Sequence, residues 1–224
     1  MTKKTFVSAV MFVFIAALSS FSQQKIADRE SRTDLERYFR VLDRIFADKD
    51  KDFPDVVVAV KLRFMPGFTS ESEIILIRTP QKVKVIRLKS RVDLYYMIIR
   101  AVGSQEDQIA ATILKKHPLE KRISEMPVAE FDEWFSELMD AMLQTIRKLQ
   151  REMEVEINEN WSETVLDGGY YQLSKIQRLN TTMHRLYDET PDPTKITGRY
   201  ELTQVMNKIR LRIESGTKDP RHRN

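Results

Sequence analysis

The sequence predicts an α+β fold, in which an antiparallel sheet packs against several amphipathic helices. Three observations predict this class: two regions of short strands, at about residues 55–89 and 162–187; tight-turn signals inside them; and helical periodicity before, between and after them. Strands joined by tight turns pair antiparallel, whereas parallel strands need a long crossover connection. A helix follows each β region, so we expect the two regions to be parts of one sheet.

The first helix is predicted by its capping and by its apolar spacing. Thr33 and Glu36 have the spacing of a capping box, and apolar residues at intervals of three and four continue to about Asp48. Pro54 prevents the helix from continuing into the next segment. The run that follows, Val56–Met65, alternates as a strand whose second face is apolar at one end and polar at the other.

Two more strands are predicted in the first β region. Residues 73–78 and 82–89 are apolar runs on either side of the turn residues at 79–81, which indicates an antiparallel hairpin. In the second run the apolar positions change phase after Val85. A strand accommodates such a change through a bulge or by burying both of its faces.

Three helices are predicted between the two β regions. Capping residues, Gly103 and Pro118 delimit helices at Val92–Val102 and Gln105–Lys116. The third begins after Pro127, and its apolar residues recur at helical spacing as far as Met153. We therefore expect this last helix to have more than six turns and one continuous apolar stripe.

The second β region carries a strong hairpin signal. Asp167 and Gly168 tolerate the positive φ that a two-residue primed turn requires, and they separate residues 164–166 from residues 170–173. A further strand is predicted at 183–187, although the spacing from Leu173 to Leu186 also fits a helix. A final helix is predicted over Leu202–Ile213, ending near Gly216.

The N-terminus has the layout of a secretory signal peptide. Lys3 and Lys4 precede an apolar run, Thr5–Leu18, which is shorter than the roughly 20 residues that span a bilayer. Small residues at Ser20 and Ser22 predict cleavage after Ser22. We therefore expect a signal peptide at 1–22, a single α+β domain at 23–214, a disordered tail at 215–224, and a soluble product that is secreted or periplasmic, without stable membrane insertion.

Composition excludes several functional classes. The chain has no cysteine, so it has no disulfide framework, thiol nucleophile or cysteine metal site. Without Lys3 and Lys4 the 37 basic residues become 35, against 33 acidic ones, which leaves a net charge of +2. The two signs alternate along the chain and form no stripe that would follow a phosphate backbone, so we expect no nucleic-acid partner.

The stretch ADKDKDFPD resembles the start of a calcium-binding loop but lacks the rest of one. Asp48, Asp50 and Asp52 stand at loop positions 1, 3 and 5. Phe53 stands where the loop needs a glycine, and Ala59 stands where it needs a bidentate glutamate. The sequence therefore predicts no metal site here, and we expect no cofactor.

The residues that a hydrolase would use are few or scattered. His117, His184 and His222 lie far apart in the sequence, and there is no Gly-x-Ser-x-Gly motif. Carboxylates could form the pairs used in glycoside hydrolysis. The candidates lie at a strand start and on one helix face: Glu71, Glu73, Glu130, Glu133 and Glu137.

These observations favour a non-enzymatic protein that binds a protein or small-molecule partner or has a structural role. The candidate binding residues are Trp161, Tyr170 and Tyr171, because tyrosine and tryptophan offer large contact areas with a polar tip. No catalytic residue is assigned. The alternative is a secreted hydrolase that uses carboxylates or His184, and a third possibility is that the helix Val128–Met153 pairs with another chain.

Overall fold

The computed structural model describes residues 34–47, 55–65, 70–101, 105–159, 169–177, 180–188 and 196–215. These residues form five helices and six strands. In chain order they are α1 (34–45), β1 (Val58–Met65), β2 (Ser72–Arg78), β3 (Val83–Lys89), α2 (Leu94–Arg100), α3 (Glu106–Lys116), β4 (Glu120–Met126), α4 (Val128–Glu159), β5 (Gly169–Gln177), β6 (Asn180–Asp188) and α5 (Glu201–Ser215).

All six strands belong to one antiparallel sheet, in the order β4-β3-β2-β1-β5-β6. β1 lies inside the sheet and pairs with β2 on one side and with β5 on the other. It therefore joins the two β regions of the sequence into a single sheet. The predicted α+β class is confirmed.

The hydrophobic core lies between one face of the sheet and the helices α4 and α5. Alternate residues of a strand point to opposite faces, so Leu62 and Phe64 of β1 face these helices and Arg63 does not. The two helices run antiparallel, because Glu130 of α4 is close to Arg212 near the end of α5 and Glu137 is close to the earlier Lys208. Phe131, Leu138, Met206 and Ile209 fill the space between the helices and the sheet.

The β2–β3 hairpin is continuous and has no bulge. Its register runs from Ser72 opposite Lys89 to Arg78 opposite Val83. β3 instead buries both faces, with Val85 on one side and Ile86 on the other. Of the two possibilities left by the sequence, the structure has the second.

The strand β4 was not expected from the sequence. β4 has the sequence EKRISEM and lies at the edge of the sheet, paired with β3. Its mostly exposed residues show little alternation of apolar and polar positions.

The second face of β1 is buried at the end where the sequence predicted a polar, solvent-exposed surface. Arg63 and Met65 at that end are both buried, so this prediction was wrong.

The segment whose periodicity fitted both a helix and strands consists of strands. β5 and β6 pair from Gly169 opposite Asp188 to Gln177 opposite Asn180. The helical interpretation of Leu173 to Leu186 was therefore wrong. The predicted strand at 183–187 is confirmed and begins earlier, at Asn180. The turn predicted at Asp167 and Gly168 lies outside the described residues.

The described residues group into two compact units. The first contains residues 34–47 and Tyr95–Ile113, within which the rings of Tyr38 and Tyr95 meet edge to face with centroids 5.2 Å apart. The second contains the sheet with α4 and α5. The prediction of a single domain over residues 23–214 stays a prediction.

In the portions of chain that the structure covers, no helix combines the length and the apolar character that crossing a bilayer requires. The predicted signal peptide, its cleavage site after Ser22 and most of the predicted tail at 215–224 lie outside those portions. So do Asp48, Asp50 and Asp52 of the calcium-like stretch. Predictions about these residues therefore remain predictions.

Candidate functional site

The three aromatic candidates for a binding patch have different positions. Trp161 lies outside the described residues. Tyr170 is in β5, where its backbone lies opposite Tyr187 in the pairing with β6. Tyr171 is buried in the core, where its ring meets that of Phe64 edge to face, with centroids 5.9 Å apart.

The hydroxyl group of Tyr171 is also engaged inside the fold. Asn207 of α5 donates a hydrogen bond from Nδ2 to this oxygen over 3.1 Å. The buried phenol therefore has the polar partner that such a group normally requires. Tyr171 thus helps to attach α5 to the sheet, and a direct role in binding stays a prediction.

The two carboxylates at the start of β2 are buried and hold structural contacts. Glu71 accepts a hydrogen bond from the backbone N–H of Leu94 over 3.0 Å, which satisfies a free donor at the start of α2. Glu73 binds Arg63 at 2.7 and 2.8 Å from two guanidinium nitrogens. Glu73 and Arg63 are both almost completely buried, at 1% and 4% exposure.

Glu73 and Arg63 belong to a row of polar side chains that crosses four strands. Arg63 lies opposite Glu73 in β2 and opposite Gln172 in β5, and Gln172 lies opposite Arg185 in β6. Arg185 donates from Nε to the side-chain oxygen of Gln172 over 3.0 Å. We call these four residues the polar row; by strand alternation they lie on the sheet face opposite α4 and α5.

The helix carboxylates lie where α4 and α5 run side by side. Glu137 binds Lys208 at 2.7 Å, and Glu130 is 3.8 Å from Arg212. Glu133 is on the exposed side of α4. These acidic groups face α5 or solvent, which is ordinary for an amphipathic surface helix.

The histidines do not form a site in the residues that the structure describes. His117 is in the segment between α3 and β4, and His184 is in β6 opposite Leu173. His222 lies outside the described residues. Across the described ranges, no group of three or more His, Asp or Glu residues is placed to hold a metal ion.

An open groove lies beside β2, β3 and β4 and next to the last turn of α5. Its volume is about 260 Å³. Three cationic and three acidic residues line it: Arg87, Lys89, Arg122, Glu73, Glu120 and Glu214. Arg87 and Arg122 lie directly opposite each other in the pairing of β3 with β4. We refer to this feature as the β3–β4 groove.

The two arginines of the β3–β4 groove differ in their surroundings. Arg87 is half-buried and Arg122 is exposed. The pKa of Arg87 is lowered, first by burial and then by the charge of Arg122, while Glu214 acts in the opposite direction. Sequence reasoning missed this pair because Arg122 lies in the strand that the sequence did not predict.

Comparison of the chain with models of protein families, with curated proteins and with solved structures found no match.

Proposed function

We propose that this protein is an exported binding or structural module without enzymatic activity, acting in a periplasm or outside a cell. Export is supported by the basic, apolar and small-residue segments at the N-terminus, which have the order of a signal peptide. The sequence of the first 22 residues supports cleavage after Ser22. The mature chain then begins at Gln23.

The proposal that the protein is not an enzyme rests on one observation, which is that its acidic residues make structural contacts. Glu73 is bound to a buried arginine, Glu71 caps a helix, and Glu137 is paired between two helices. A general acid or base must instead reach a substrate in a cleft, within hydrogen-bond distance. Glu71, Glu73 and Glu137, three of the carboxylates that the sequence offered for hydrolysis, thus have structural contacts.

The rival proposal is a secreted hydrolase that uses carboxylates or His184. Its support is the presence of Glu120 and Glu214 in an open groove. Glu120 is paired with Arg91 at 2.9 Å, so this carboxylate already has a partner within the fold. The observations therefore support the binding module better than the hydrolase.

A pull-down tests the main proposal. The mature chain, residues 23–224, is immobilised and exposed to the envelope fraction of its own host, and captured partners are identified by mass spectrometry. We expect a reproducible partner and no release of soluble fragments from the envelope material. Release of such fragments, abolished by Glu214→Gln or His184→Ala, would establish the hydrolase instead.

The aromatic patch is tested with Tyr170→Ser. Tyr171 is unsuitable for this purpose, because removing a buried ring leaves a cavity that costs about 3–5 kcal/mol and confuses lost binding with lost folding. We expect Tyr170→Ser to reduce partner capture at an unchanged melting temperature. Tyr96→Ser, which removes an exposed tyrosine from α2, is the matched control. Equal capture by both variants and by the parent chain would remove Tyr170 from the binding surface.

Export is tested on the protein in its host. Mass spectrometry of the protein from the envelope or medium is expected to find a chain that begins at Gln23. Recovery of the protein only from the cytoplasm, with Met1 to Ser22 still attached, would contradict the proposed location.

A further inference from the structure

Like charges face each other across the pairing of β3 with β4. Side chains directly opposite in an antiparallel pair have Cβ atoms about 5 Å apart, and like charges at that distance destabilise the sheet. Arg87 and Arg122 are such a pair. Within the described part of the chain, neither forms an ion pair or hydrogen bond with a side-chain carboxylate. The charge of Glu214 offsets this repulsion in part, since its effect on Arg87 is smaller than that of Arg122.

The acidic residues of the β3–β4 groove balance its cations only in part. Glu73 is bound to Arg63 and Glu120 to Arg91, and neither arginine lines the groove. Glu214 opposes the charges of both Arg87 and Arg210, so its single charge is shared. Lys89 lies opposite Glu120 in the pairing of β3 with β4, whereas Arg87 and Arg122 lie opposite each other and are the less balanced cations of the groove.

The shape of the groove suits a small anionic group. A volume of about 260 Å³ is slightly below that of common ligand sites, which measure roughly 300–1,000 Å³, so the groove has room for a small group. Guanidinium groups bind carboxylate and phosphate oxygens through two parallel hydrogen bonds. Arg87 is half-buried, and partial burial strengthens such bonds because water competes less for the guanidinium.

We propose that the β3–β4 groove binds the phosphate or carboxylate group of a small ligand between Arg87 and Arg122. This deepens the proposal of a binding module and rests on it, because it treats the groove as a ligand site and not as a catalytic one. The bound anion relieves the repulsion between the two arginines. Lys89 lines the edge of the site, opposite Glu120.

The competing explanation is that Arg122 only protects an edge strand. Charged side chains on an edge strand discourage pairing with another chain. That role requires a charge on β4, and Lys121 or Glu125 would supply one. It does not require an arginine opposite Arg87, so the two explanations predict different results in a binding measurement.

The test is calorimetric titration of the purified mature chain, residues 23–224, with inorganic phosphate and separately with succinate. The ionic strength is held constant with chloride. We expect saturable binding of at least one anion, weakened at least about tenfold in Arg87→Gln and in Arg122→Gln. Binding of phosphate alone assigns a phosphate group to the ligand, and binding of succinate alone assigns a carboxylate.

Arg147→Gln is the control, because it removes the same charge from an exposed site on α4 away from the groove. We expect it to leave the affinity unchanged. Absence of saturable binding of both anions would overturn the proposal, and so would an equal loss in Arg122→Gln and Arg147→Gln. Arg122 is exposed, so its variant remains informative if Arg87→Gln fails to fold. A failed pull-down would count against the binding module but would not alter this titration, which uses only the purified chain.

Discussion

At the scale of single residues, this protein places charge inside its sheet. Arg63 and Glu73 are paired in a region from which water is excluded, and Gln172 continues the polar row beside them. The attraction within a buried pair offsets the cost of removing both charges from water only when the geometry is good. One carboxylate oxygen of Glu73 has no hydrogen-bond partner among the described residues, so the pair is only partly satisfied.

Arg63→Met tests how far the fold depends on this pair. The variant leaves the charge of Glu73 buried without its partner, which we expect to lower the free energy of unfolding by about 3–5 kcal/mol. Urea denaturation of the mature chain at pH 7 measures the change. Lys82→Met, which breaks an exposed pair with Glu125, is the control and should cost less than about 1 kcal/mol.

The double variant Arg63→Met/Glu73→Leu separates the pair from its single charges. Removing both charges leaves no unpaired group, so we expect it to be more stable than Arg63→Met alone. A double variant less stable than Arg63→Met would contradict the expectation that the unpaired buried charge of Glu73 causes most of the loss in unfolding free energy.

The exposed ion pair of Arg78 and Asp132 predicts that the stability of the fold depends on pH. Arg78 donates hydrogen bonds to Asp132 and so lowers the pKa of that carboxyl below its ordinary value of 3.8. A carboxyl whose pKa is lower in the folded state stabilises the fold above its unfolded pKa, and this stabilisation disappears as the pH falls through the folded pKa.

We therefore expect Asp132→Asn to destabilise the mature chain slightly at pH 6, and less at pH values below 3.8. The difference in unfolding free energy between parent and variant should shrink below pH 3.8, as measured by urea denaturation across that range. The effect is small because the pair is exposed to solvent. A difference that does not change with pH would mean that the pair contributes nothing through charge.

At the scale of elements, local sequence patterns predicted the strongly periodic segments. They failed for segments whose secondary structure depends on packing against other elements. The stripe of α4 and the alternation of β1 identified both elements, since each has one face in the core. β4 was not predicted, because an exposed edge strand buries few side chains and so needs no alternation of apolar and polar residues. The spacing in β5 and β6 fitted a helix, but β5 pairs with β1 and β6 pairs with β5, so both segments are strands.

The start of α5 depends on a neighbouring helix. The first N–H groups of a helix have no partner within it, and the N–H of Leu202 donates instead to the hydroxyl of Thr145 in α4, over 3.0 Å. Thr145 is 2% exposed, so water cannot replace this contact.

Thr145→Val removes the acceptor while keeping the shape of the side chain. We expect it to lower the free energy of unfolding by about 1–3 kcal/mol, because a buried donor is left unsatisfied. Thr112→Val is the matched control, since the Thr112 hydroxyl binds the Gln108 carbonyl on an exposed surface of α3. Its effect should be within about 0.5 kcal/mol. Equal losses of unfolding free energy in the two variants would mean that the contact between Leu202 and Thr145 stabilises the fold no more than an exposed hydrogen bond does.

At the scale of the whole molecule, one sheet unites segments that are far apart in the chain. β1 and β5 are more than 100 residues apart, yet they pair from Ala59 opposite Ile176 to Met65 opposite Tyr170. The described residues nevertheless divide into two compact units.

We predict that residues 23–214 unfold as a single domain. The variant Trp161→Phe leaves Trp134, in the core beside the sheet, as the sole tryptophan. Its fluorescence reports on the unit that contains the sheet, whereas far-UV circular dichroism reports on the helices of both units. We expect the two signals to give the same midpoint in urea. Separate midpoints would show two domains.

By itself the sequence determined the fold class, the long helix α4, the final helix α5 and the β2–β3 hairpin. It could do so because the two helices repeat their buried positions locally, and because turn residues separate the two apolar runs of the hairpin. Only the tertiary structure decided that both faces of β1 are buried, that Glu73 meets Arg63, and that Arg122 comes to lie opposite Arg87. These pairings join residues whose separation in the chain leaves no periodic trace, so no local pattern could have predicted them.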